Sequence, residues 1–232
     1  VQQGLIDDID IPIPRFTRPV RAGEKKGMDT DISTGAVVDT TNTNANIYVT
    51  NLVQQGAGSW NRVGRKIHAT SLRIKGFTRF TMVPTVATGI TVLPSLRLVV
   101  VWDKQPSGAA IPAFDNIFGI TAQDGTESCP DITCPPRYDN MDRYQILRDC
   151  FWSPPAMAIA ATGTGPSNTI AMEVDEYVKL SRLESVYSGQ STPMTIADIS
   201  TGALYVCIRQ TAQAGGTSSA QFDGITRLRY VE

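Results

Sequence analysis

Residues 72–82 read Leu72-Arg73-Ile74-Lys75-Gly76-Phe77-Thr78-Arg79-Phe80-Thr81-Met82. Leu72, Ile74, Phe80 and Met82 fall on one side of a two-residue repeat, and Arg73, Lys75, Phe77 and Arg79 on the other. Successive side chains of an extended chain point to opposite faces, so this alternation predicts a half-buried β-strand with a cationic outer face. The signal runs over residues 65–83. Before it, Ile47-Tyr48-Val49 is β-branched and aromatic and is ended by the Gly56-Ala57-Gly58 turn, the pattern of a short strand. After it, residues 91–104 are apolar at both parities between positions 96 and 102. That predicts a strand covered on both faces, by the core and an arm or by a neighbouring subunit.

The rest of the chain is also strand-like. Residues 143–152 form a strand ended by Pro154-Pro155. Residues 168–180 alternate cleanly, with Ile170, Met172, Val174, Val178 and Leu180 opposite Glu173, Asp175, Tyr177 and Lys179. Segments 183–187, 203–211 and 221–231 complete about eight strands. The longest irregular stretch, 105–142, holds Pro106, Gly108 and Pro112, a short helix near 114–118, and a loop containing Cys129 and Cys134. Long ordered loops are usually functional, and this one is expected to make subunit contacts. A jelly roll and an immunoglobulin-like sandwich both fit this inventory. The crossovers at 105–142 and 188–200 favour the jelly roll. Residues 1–40, with Pro12, Pro14 and Pro19, read as an extended arm, because proline and glycine suppress regular structure. The expected fold is therefore all-β: a single eight-stranded jelly-roll sandwich over residues 41–232, preceded by an extended N-terminal arm over residues 1–40.

Composition narrows the function. The chain has 232 residues, 41% hydrophobic and 19% charged, so one large β-domain can bury a core and wholesale disorder is excluded. No apolar run reaches membrane-spanning length. His68 is the sole histidine and has no carboxylate or nucleophile motif beside it, which argues against triad chemistry. Gly56-Ala57-Gly58 leads into a strand, where a phosphate loop needs a helix. No enzyme, cofactor or metal site is expected. The spacing of Cys129 and Cys134 offers a disulfide more readily than the four ligands of a zinc centre. Asp7, Asp8 and Asp10 fix no coordination geometry and read as an acidic start. The formal charge of −1 is low for neutralising phosphate, so a more basic arm preceding Val1 is expected.

Five short motifs carry a family resemblance. Asn61-Arg62-Val63-Gly64-Arg65-Lys66, the Val100-Val101-Trp102-Asp103-Lys104-Gln105-Pro106-Ser107-Gly108 strand end, and Asn116-Ile117-Phe118 come first. Asn140-Met141-Asp142-Arg143-Tyr144-Gln145-Ile146-Leu147 and Tyr177-Val178-Lys179-Leu180 with Tyr187 follow in order. Together they resemble the coat proteins of small circular single-stranded DNA viruses, geminivirus-like and circovirus-like. The resemblance implies a jelly-roll subunit that self-assembles into a small icosahedral shell of about 60 copies around circular single-stranded DNA. It further implies a virion protein, assembled in the host nucleus, that carries a basic N-terminal arm.

Two kinds of surface follow. For nucleic acid, the candidates are the arm cluster Arg15, Arg18, Arg21, Lys25 and Lys26, and the strand set Arg65, Arg73, Lys75 and Arg79, which share one parity with Phe77 among them. The alternative for the strand set is a solvated face balanced by acids such as Glu173 and Asp175. Arg227 and Arg229 form a smaller stripe with the same two readings. For subunit contacts the candidates are Trp60, Phe114 and Trp152, with core packing as the competing reading. The competing function is a jelly-roll carbohydrate-binding (lectin-like) module using Trp60 or Trp152 as stacking platforms.

Overall fold

The computed structural model describes residues 24–35, 38, 40, 45–82, 90–91, 93–106, 110–122, 125, 127–155, 157–158, 168–188, 195–211 and 218–232. Eight strands of these residues build two facing antiparallel sheets. In chain order they are β1 (Lys25–Asp31), β2 (Ile47–Val49), β3 (Lys66–Met82), β4 (Leu96–Asp103), β5 (Tyr144–Trp152), β6 (Asn168–Tyr187), β7 (Ala203–Gln210) and β8 (Ser219–Val231). One sheet runs β1-β8-β3-β6, with the short strand Ile199–Thr201 added beyond β6; the other runs β2-β7-β4-β5. Every connection between consecutive members changes sheet except β4 to β5. That interleaving is the double Greek key of a jelly roll.

The alternation in β3 sets the layering. Leu72, Ile74 and Phe80 are buried in one apolar cluster with Phe222 and Leu228 of β8 and Leu204 and Val206 of β7. At the open edge Arg148 of β5 donates to Glu176 of β6, joining the two sheets at 2.9 Å. β4 and β7 are buried along their whole length. Among the described residues, the second cover on β4 is the chain's own 105–142 stretch. Phe114, Ile117, Phe118 and Ile132 are buried there, on a 3-10 turn and a loop laid over the sheet.

Two buried arginines hold that layer down. Arg97 of β4 and Arg209 of β7 face each other in register. Arg97 donates two bonds to the Asp149 carboxylate, at 2.9 and 2.7 Å, and others to the carbonyls of Ile132 and Cys134. Its guanidinium lies 4.2 Å from the centre of the Phe118 ring and 4.9 Å from that of Phe151. Arg209 lies over Phe114 and donates to the Thr40 carbonyl and the Cys129 thiol. Like charges directly opposite repel, so each arginine needs its own partners, and each has them. The cysteines are free thiols, and burial pushes that of Cys129 up to about 11.

Two features depart from the sequence reading. The expected strand at 183–187 is the continuation of β6, not a separate element. The jelly roll's first strand is instead Lys25–Asp31, inside the stretch read as an arm, and it pairs with β8 from Lys25↔Val231 to Asp31↔Ile225. Lys-Lys-Gly-Met-Asp-Thr-Asp has one large apolar residue, so it carries no alternation to read. It is a strand because β8 offers it an open edge.

The long β3–β6 pair is broken once. Opposite Thr70 the β8 register skips from Arg229↔Ser71 to Tyr230↔Ala69, and the β6 register from Lys179↔Ser71 to Leu183↔Ala69. Ser181 and Arg182 fill the gap with φ of 47° and 61°, a left-handed conformation that costs side-chain-bearing residues about 1–3 kcal/mol each. Across this bulge the buried positions of β3 change parity, from Ile67 and Ala69 to Leu72 and Ile74.

Candidate nucleic-acid and subunit interfaces

The outward side of the β1-β8-β3-β6 sheet presents its residues in rows. One row is Asp29, Arg227, Arg73 and Tyr177; the next is Asp31, Ile225, Lys75 and Asp175. Arg73 and Arg227 are thus cross-strand neighbours of like charge, and each is gripped by an acid from the strand outside it. Arg73 donates to both Asp175 oxygens at 2.9 and 2.8 Å, and Arg227 to both Asp29 oxygens at 2.7 Å. Lys75 lies 3.5 Å from Asp175, and Arg79 lies 3.1 Å from Asp223. The face that the sequence marks as cationic is therefore largely balanced by carboxylates on neighbouring strands. Exposed pairs of this kind contribute little stability each, but they lower the charge left to attract phosphate.

The hydrogen bonds from Arg73 hold the Asp175 carboxyl down to about 2, against an opposing effect of desolvation and with the charges of Arg73 and Lys75 adding to them. A carboxyl held below its unfolded value stabilises the fold above that value and loses the contribution as pH falls through the folded one. Carboxyl-carbon NMR should place the Asp175 midpoint well below the usual aspartate range of about 4. In Arg73→Ala the midpoint should return toward that range, and an unmoved midpoint would rule out Arg73 as the cause.

Arg65 does not belong to this stripe. It precedes β3, donates to the Ser188 carbonyl at 3.2 Å, and is separated from Arg73 by the parity change at Thr70. Counting along the sequence aligns the two; the bulge does not. Lys26 is buried: its ammonium donates to the Asn61 carbonyl at 3.0 Å and lies 3.4 Å from Glu232. It tethers the start of β1 to Glu232, just after β8, and is not on the surface. Lys25 is exposed. Arg15, Arg18 and Arg21 lie outside the described residues.

Among the subunit-contact candidates, Trp60 is 63% exposed on the β2–β3 loop. Trp152 is half-buried at the end of β5, paired with Leu96. Phe114 is a correction: it is 2% exposed and stacked on Phe118 at 4.8 Å, because the 105–142 layer turns its aromatic side onto its own sheet. The large apolar residues that layer leaves outside, among those described, are Ile120, Tyr138 and Met141, which no periodicity marks. The sequence reading also passed over the Arg97–Arg209 pair, since nothing in a linear pattern shows two arginines becoming neighbours under a loop.

Residues 13–230 match the family described as Geminivirus coat protein/nuclear export factor BR1 family. No curated protein matches the sequence. Among solved structures, one titled "Structure of infectious bursal disease virus Gx strain" aligns at 12% identity, over 90% of this chain and 31% of that one. Its TM-score is 0.18, too low to bear on the fold.

Proposed function

The chain belongs to the Geminivirus coat protein/nuclear export factor BR1 family, and from that premise we propose that it is the tile of a closed viral shell around circular single-stranded DNA. It is a viral capsid protein and a component of the virion. The observation that carries the reading is the match over residues 13–230 to a chain whose strands interleave as a jelly roll. Icosahedral closure, about 60 copies, a DNA cargo and assembly in the host nucleus are the finer parts of the proposal.

Tiling is a sum of weak contacts. The β2–β3 and β4–β5 connections leave Trp60, Val63, Tyr138 and Met141 exposed. Large exposed aromatics and methionine are enriched where copies meet, and closed symmetry repeats each contact, so modest individual affinities accumulate. Exposed Trp60 would also serve the carbohydrate-binding alternative, but the family match does not favour that reading. The family description also names a nuclear export factor, which a particle assay separates from a coat protein.

Purified protein should elute as particles on size-exclusion chromatography and show closed shells by negative-stain microscopy. A lone monomer at high concentration, with or without DNA, would overturn the proposal. The arm makes a second expectation. Replacing Arg15, Arg18 and Arg21 with alanine, and leaving the buried Lys26 alone, should cut DNA retention and lower the slope of log affinity against log salt by about 2, at about 0.7 per phosphate contact. An unchanged slope would remove these arginines from packaging.

A further inference from the structure

Two hollows on the outer face of the β1-β8-β3-β6 sheet share Ser71, Tyr177, Arg227 and Arg229 as a common wall. One, of about 470 Å³, is lined also by Lys25, the buried Lys26, Gly27 and Thr70. The other, of about 480 Å³, is lined also by Asp29, Arg73, Lys75 and Ile225. They differ in one unpaired cation, since Lys25 lines only the first. In the second hollow each cation besides Arg229 is already held by Asp175 or Asp29. In the first, the side chains of Lys25 and Arg229 are exposed and form no ion pair or hydrogen bond with any described residue. Gly27 and Ser71, the partners of Arg229 on either side, are too small to fill the space between these cations.

Tyr177 supplies the second requirement. It is 62% exposed and stands opposite Arg73. An aromatic ring left in water amid cations, with a recess on each side, offers a stacking surface to a flat partner. Unpaired bases have such faces, duplexes hide theirs, and sulfated polysaccharides have none. Along β6, Lys179 and Arg182 continue the strip of exposed cations, Arg182 being turned outward by the left-handed pair at the bulge.

We propose that these hollows form a sequence-independent site for single-stranded nucleic acid, with a base stacked on Tyr177 and neighbouring phosphates at Lys25 and Arg229. The site rests on the coat-protein reading for the source of the strand. It uses Lys25 and Arg229, which no described acid balances, whereas Arg73, Lys75 and Arg79 mainly balance acids.

The test is binding of a fluorescent oligothymidine to the full chain over a salt series, with particle formation scored separately by microscopy. Tyr177→Ala should weaken binding about tenfold without changing the salt slope, and Tyr177→Trp should restore it. Lys25→Ala with Arg229→Ala should lower the slope by about 1.4. All these positions are exposed, so melting temperatures should stay within a few degrees of the parent. Unchanged affinity in Tyr177→Ala, or an unchanged slope in the double variant, would overturn the site even if shells form. Equal loss of heparin and oligothymidine binding in Tyr177→Ala would overturn the nucleotide assignment. Absence of shells from the parent protein, with oligothymidine binding as described, would instead count against the coat-protein reading and leave the site standing.

Discussion

Arg97→Ala is expected to destabilise the protein by about 2–4 kcal/mol, because it removes a buried guanidinium that serves two buried carbonyls, two rings and a partly exposed carboxylate. The loss has three parts. Asp149, whose side chain is 33% exposed, loses its two-point partner and turns to water. The carbonyls of Ile132 and Cys134 lose their donor, and Phe118 and Phe151 lose the planar group between them. An unmade hydrogen bond in a buried site costs more than a made one contributes, so the parts reinforce each other. For a chain of this size the thermal midpoint should fall by roughly 10 °C.

The distribution of the damage matters more than its size. Arg97 joins β4 to the 105–142 layer, so limited proteolysis should find new cleavage within that layer before global unfolding. Lysine should rescue only part of the loss, because an ammonium cannot serve a carboxylate in two-point fashion and two carbonyls at once. Shell formation should fail or slow, since Tyr138 and Met141 ride on the same layer. A fall of less than about 2 °C would mean that the layer stays in place by apolar contact alone, without the pin.

The second large effect is expected at Gly76, where one added methyl group should cost about 4 kcal/mol or more. Gly76 and Gly224 face each other across β3 and β8. A Cβ at Gly76 would collide with the Asp223 carbonyl oxygen and stand 2.7 Å from the Gly224 Cα. Both obstacles are backbone of the neighbouring strand, held by a continuous ladder, and cannot swing aside. Gly76→Ala should therefore give little folded protein, or a midpoint lowered by about 10 °C or more. Gly64→Ala is the control. The nearest atom to its added Cβ is 4.0 Å away, so the change should stay within about 0.5 kcal/mol. Equal melting curves for the two variants would show that β3 and β8 can separate at this point.

Gly76 also shows how far sequence reading reaches. It stands in the middle of the clearest strand in the chain and interrupts the apolar side of the repeat. Glycine inside a strand signals a bulge or a close approach, but the pattern cannot say which backbone approaches. The partner, Gly224, lies in a segment separated from it by most of the domain. The Arg65 assignment failed for a related reason. Parity counted along residues 65–79 assumes an unbroken strand, and the bulge at Thr70 resets it. Ser181 and Arg182 gave no warning, because a left-handed turn normally announces itself through glycine or asparagine.

What the sequence determined by itself was the class of fold and the interior of its long strands. Alternation at 72–82 and 168–180 reports which side of each strand meets water, and it does so locally, without knowledge of neighbours. The five motifs, read in order, pointed to the coat-protein family. Everything that depends on pairing was decided by the tertiary structure alone. β1 is a strand only because β8 has a free edge. Phe114 is core only because the 105–142 layer folds back over β4. Arg73 and Arg79 are balanced while Lys25 and Arg229 are not, because the register chooses which acid stands beside which base. Charge along a chain is a sum; charge on a surface is set by neighbours a few ångströms away that arrive from distant parts of the sequence.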